Sequence, residues 1–88
     1  MPRRERSTIV GELLRHLADL ELKDAATTTR LASLANVPYD RFLAYLQDLR
    51  ERGLVEPTDP LRLTPLGRQF LARYLDWLEA MRLLGLGH

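Results

Sequence analysis

The chain has no cysteine, which excludes disulfides and thiolate zinc sites. Its two histidines, His16 and His88, lie too far apart in sequence to suggest a metal pair, so no metal or cofactor is expected. No apolar run approaches the roughly 20 residues that a membrane span requires. The start (Met1, Pro2, Arg3, Arg4, Glu5, Arg6) is followed by no apolar stretch of signal-peptide type, and the expected compartment is the cytoplasm. A nucleophile beside a base, paired carboxylates in an apolar setting and a glycine-rich phosphate loop are all missing. The expectation is therefore a binding protein, not an enzyme.

What the chain does hold is leucine and arginine. Twenty of its 88 residues are leucine, mostly at helical spacing. A chain of this length makes one small domain with a limited core, so association is an expected further source of stability. The cations are 12 arginines and Lys23, and the net charge is only +1. Arginine suits phosphate and guanine because its planar fork binds two acceptors. It is equally the residue of surface ion-pair networks. A balance so close to neutral argues against a non-specific coat for DNA.

Residues 1–6 read as a flexible basic arm. Ser7 or Thr8 is placed to cap a first helix running to about Leu20, with Val10, Leu13, Leu14 and Leu17 as its buried stripe and His16 on the surface. Leu20 to Ala26 reads as a loop. Thr27 or Thr28 caps a second helix ending near Ala35, with Leu31 and Leu34 as core positions. Asn36 tolerates a left-handed backbone, and Pro38 blocks the previous helix while suiting the start of the next. A third helix is expected from Pro38 to Arg52, stopped by Gly53. One half carries Tyr39, Phe42, Leu43, Tyr45, Leu46, Leu49 and Arg50. The other carries Asp40, Arg41, Ala44, Gln47, Asp48, Glu51 and Arg52.

Leu54-Val55-Glu56 and Leu61-Arg62-Leu63 alternate, and Pro57-Thr58-Asp59-Pro60 between them is dense in turn formers. They predict a small β-hairpin with a tight wing, Arg62 pointing outward. Thr64 then caps a long helix that opens on Pro65 and ends near Gly85, leaving 86–88 as a frayed tail. The order helix, turn, helix, hairpin, helix is that of a winged helix-turn-helix. The expected fold is mainly α with a small β-hairpin, a winged domain over 7–63 followed by a long dimerisation helix over 64–85. Leu66, Phe70, Tyr74, Trp77, Met81 and Leu84 approach a coiled-coil seam. A homodimer through Phe70, Tyr74, Trp77, Leu78, Met81 and Leu84 would bury side chains worth about 1.5–3 kcal/mol each. The alternative folds this helix back over its own domain. Trp77 and Met81 would also suit the wall of an effector cavity.

Thr29-Arg30-Leu31, Ala35-Asn36-Val37, Tyr39, Tyr45-Leu46, Gly53-Leu54-Val55 and Leu63-Thr64-Pro65-Leu66-Gly67 follow one another in an order that resembles the small archaeal winged-helix DNA-binding proteins. Those proteins dimerise through a long C-terminal antiparallel coiled coil. Some are described as chromatin-associated and others as candidate transcription regulators. The resemblance covers about residues 8 to 84. It implies a nucleic-acid surface on the second and third helices and the wing, at Thr28, Arg30, Tyr39, Arg41, Tyr45 and Arg62, with double-stranded DNA as the partner. Ala44 adds a small side chain that permits close approach. Asp40 and Asp48 stand where the family more usually has basic residues. A protein-interaction module without direct DNA binding is the second expectation, since alternating signs on the third helix also suit a charged protein surface.

Overall fold

The computed structural model describes residues 6–85, and the four helices are α1 (Arg6–Leu22), α2 (Thr28–Ala35), α3 (Tyr39–Glu51) and α4 (Pro65–Leu83). Most of the expected arm (1–5) and the expected tail (86–88) lie outside the described residues. Arg6 belongs to α1, so Ser7 and Thr8 are inside the helix rather than at its cap. Its far end also differs from the expected loop, because α1 continues through Leu20 and Glu21 to Leu22. Leu20 is buried, and that burial extends the helix by one more turn of its apolar stripe.

Leucine spacing builds the core. Leu13, Leu14 and Leu17 of α1 meet Leu31 of α2 and Phe42, Leu46 and Leu49 of α3, all nearly inaccessible to water. His16 is half-buried at the edge of the α1 stripe. α1 packs against both α2 and α4, and α2 packs against α3. Leu34 is a correction: it is 42% exposed, and Ala35 takes the second buried position of α2. An eight-residue helix has only two turns to bury, and its apolar stripe runs through Leu31 and Ala35 at i, i+4.

The hairpin is the second correction. Among the described residues the two segments meet in one antiparallel bridge, Val55 with Leu63, and not in paired strands. Two backbone bonds flank it, Glu56 N–H to Arg62 O at 2.8 Å and Thr64 N–H to Leu54 O at 3.1 Å. The ladder stops where the Glu56 carbonyl, next in line to accept, bonds Arg50 Nε at 3.4 Å instead. On its outer edge, facing away from Val55, the return segment donates Leu61 N–H to Ala26 O at 2.7 Å and Leu63 N–H to the Glu21 carboxylate at 2.8 Å. The wing is thus a loop, containing the cis Asp59–Pro60 bond, and its returning arm is tied to the α1–α2 connection.

α4 opens as expected. Thr64 Oγ1 accepts from Gly67 N–H at 2.9 Å and donates to Gly53 O, joining the helix start to the end of α3. Gly67 is required there, since a Cβ would overlap the Leu54 carbonyl oxygen. One turn further, Leu71 and Tyr74 are buried against the domain. Tyr74 lies on Gly11 of α1, where any side chain would collide with its ring. Tyr74, expected on an intermolecular seam, thus packs most of its ring inside the protomer. Leu78 is half-buried against the same core.

Candidate nucleic-acid interface

The α2 start, the turn, α3 and the wing form the surface that the sequence singles out. Thr27, not Thr28, is the cap of α2, its Oγ1 accepting from Arg30 N–H at 3.1 Å. Thr28 is half-buried in the first turn and Arg30 is exposed, its guanidinium in no ion pair among the described residues. The first amides of the helix carry partial positive charge, which favours an anion near Thr28. Asn36 takes the left-handed conformation (φ 58°, ψ 37°) that reverses the chain, and Pro38 caps α3 without a side-chain bond.

α3 sorts its charges in an informative way. Arg52 is bound to Asp48 (Nε to Oδ2, 3.0 Å), and Gln47 donates to Glu51 at 3.2 Å. Arg50 reaches across to the wing, Nε to Glu56 O at 3.4 Å and Nη2 to Thr58 O at 3.2 Å. Of the three arginines on or ending this helix, Arg41 is the one without a hydrogen-bond or ion-pair partner among the described residues. It projects from the exposed half, one turn before exposed Ala44. Asp40 is exposed beside it. Tyr39 is 58% exposed and stacks on buried Phe42 at 6.1 Å between ring centroids. Tyr45 is half-buried against the core, which steadies its ring.

Arg62 points outward as expected, between buried Leu61 and Leu63. It shares an open groove of about 580 Å³ with Glu21, Asp24, Glu56 and Thr58. Three carboxylates around one arginine make that groove a poor phosphate cradle.

Two structural members of this surface escape sequence reasoning. Arg50 falls on the apolar half of α3, where a cation has no reason to sit unless it serves a neighbour. That misplacement was its one available signal. Glu21 was part of an expected loop. Its carboxylate accepts from Leu63 N–H at 2.8 Å and from Arg68 Nη2 at 2.6 Å, fastening wing and α4 to the end of α1.

No helix among the described residues is long and apolar enough to cross a membrane. The sequence matches the family model described as winged helix-turn-helix over residues 3–82. Comparison with curated proteins and with solved structures finds no match.

Proposed function

The chain belongs to the winged helix-turn-helix family, and from that premise we propose that it is a homodimeric DNA-binding protein, a transcription regulator or chromatin-associated factor of the cytoplasm. α3 enters the major groove and residues 57–60 of the wing lie on the flanking backbone. The observation that carries this reading is the free state of Arg41 on a helix whose other arginines are engaged. A guanidinium with no internal partner meets guanine O6 and N7 without first breaking a contact. Ala44 lets the helix sit close. The Tyr45 hydroxyl and the exposed Tyr39 ring reach the groove edge, while Thr28, the α2 amides and Arg30 take phosphates. Arg62 contributes least, because Glu21, Asp24 and Glu56 line the same groove. The reading assigns no catalytic role and no cofactor, and its dimer forms through α4. It places the chain beside the small archaeal proteins that it resembles.

Anisotropy titration of mixed duplex DNA at several salt concentrations tests the proposal. With Arg41 on a base, phosphate contacts by Arg30 and Arg62 in each protomer of a dimer, four in all, give a slope of about −3.6 in log K against log salt. Such a slope supports the reading. Absence of binding at low salt refutes it. The second reading, a protein-docking module, is favoured by the mixed signs of α3, the Asp48–Arg52 ion pair beside a Glu51 that accepts from Gln47, which suit a mixed-sign protein surface better than a polyanion.

A further inference from the structure

The exposed half of α3 presents a free acid beside its free arginine. Asp40 is exposed, and no hydrogen bond or ion pair holds it among the described residues. The later acids of the helix are engaged, Asp48 with Arg52 and Glu51 as the acceptor from Gln47. Asp40 also stands where the proteins that the chain resembles more usually carry a basic residue, so it marks a property of this chain rather than of its relatives.

Helix geometry sets the two free groups around Ala44. At 3.6 residues per turn, Asp40 lies about 40° to one side of Ala44 and Arg41 about 60° to the other. They are about 1.5 Å apart along the axis, inside the roughly 3.4 Å between base steps. Ala44 is exposed and carries only a methyl group, so nothing between them holds the helix off the bases and even a short carboxylate reaches the groove floor. The two do not pair with each other, and two side chains projecting about 100° apart meet adjoining base pairs rather than one.

A carboxylate in this place accepts hydrogen bonds and donates none. Most of what DNA offers it is also an acceptor: phosphate oxygens, purine N7, guanine O6 and thymine O4. Two amines remain in the major groove, N6 of adenine and N4 of cytosine. Adenine N6 stands between two acceptors, its own N7 and O4 of the paired thymine. Cytosine N4 has an acceptor on one side only, guanine O6, and a C–H on the other. The carboxylate is therefore matched by cytosine and opposed by guanine and thymine.

We propose that Asp40 is a specificity-determining residue, its carboxylate accepting from N4 of a cytosine in the base pair adjoining the guanine of Arg41. This rests on the DNA reading of the proposed function and adds a second base to it. It also gives the acid a use: Asp40 lowers affinity for every duplex that lacks the amine. An acid in the first turn equally favours the start of a helix. That effect is blind to base sequence, so experiment separates the two roles.

Selection from duplexes with a random core, run in parallel on the full natural chain, Asp40→Asn and Asp40→Ala, reads the position. The natural chain should return a guanine with an adjoining cytosine, and changing that C·G pair to T·A should weaken binding by roughly 5- to 150-fold. Asp40→Asn keeps the shape and gains a donor, and should move the preference from cytosine to adenine, whose N7 and N6 suit an amide. Asp40→Ala should bind all four bases there nearly alike and hold mixed-sequence duplex more tightly than the natural chain does. A cytosine preference that survives Asp40→Asn overturns the proposal, as does a natural chain with no preference beside the guanine; both leave DNA binding standing. A lower melting temperature for Asp40→Ala with unchanged base preference also overturns it and assigns the acid to the helix start. If the natural chain binds no duplex even at low salt, the DNA reading itself fails and this inference with it.

Discussion

Replacing Glu21 with alanine is expected to cost more than any other exposed-looking substitution in the chain. The carboxylate is 17% exposed and carries two loads, the part-buried Leu63 N–H and the Arg68 guanidinium. Losing it orphans the amide of Leu63 at about 1–3 kcal/mol. The Arg68 pair adds only about 0.2–1 kcal/mol, because Arg68 is 52% exposed and water screens it. The sum, about 1–4 kcal/mol, is a large share of the roughly 4–13 kcal/mol that a domain of this size holds. At about 4–8 °C per kcal/mol, the melting temperature should fall by roughly 5–30 °C. Thermal unfolding followed by circular dichroism at 222 nm, at fixed protein concentration because association shifts the midpoint, measures it. Glu21→Gln keeps an acceptor for the amide and should lose about half as much. Asp19→Ala on the same helix removes only the exposed pair with Lys23 and should move the midpoint by no more than a few degrees. If Glu21→Ala falls by less than about 3 °C, the wing is not held through this carboxylate and the account of its anchoring is wrong.

Three further substitutions probe the other contacts. Arg41→Ala should weaken cognate DNA binding by about 1–3 kcal/mol and leave stability unchanged, since Arg41 has no internal partner; equal loss on all sequences, with a salt slope reduced by about one, would reassign it to a phosphate. Gly67→Ala should destabilise by at least about 1–3 kcal/mol in urea titrations even though alanine is the better helix former by about 1 kcal/mol, because the Leu54 carbonyl is backbone and cannot swing aside. Arg50→Ala frees the Glu56 and Thr58 carbonyls from α3 and should speed amide hydrogen exchange in the wing while leaving α1 unaffected; unchanged exchange in residues 56–62 would show that the bridge alone holds the loop.

The helices and their order are legible in the sequence because their causes are local. Leucine spacing places α1 and α3, and the Asn36–Pro38 break separates α2 from α3. Thr64 and Pro65 fix the start of α4 to the residue. What escaped depends on groups far apart in sequence. Alternation around Val55 and Leu63 predicts strands, but the Glu56 carbonyl that would accept the next ladder bond is claimed by Arg50. Tyr74 has the spacing of a seam residue, and only Gly11 on another helix reveals the space that draws it inward. Leu34 fails for a smaller reason, an apolar stripe too narrow to include it. On the candidate interface, residue type and helix face were readable from the chain. Which arginines are engaged was not, since that depends on partners four to eight residues away whose rotamers only packing sets.

The packing of Tyr74 on Gly11 has a consequence for the DNA rather than for the protein. It fuses the helix that would join two copies to the body that carries α3, with no linker between them. In the proposed dimer the distance and angle between the two reading heads are then set by core packing, much as a caliper is set by its riveted joint. Half-site spacing becomes an inherited dimension of the fold. A substitution at the α1–α4 contact, far from any base, would change which spacing is tolerated and leave the preferred bases alone.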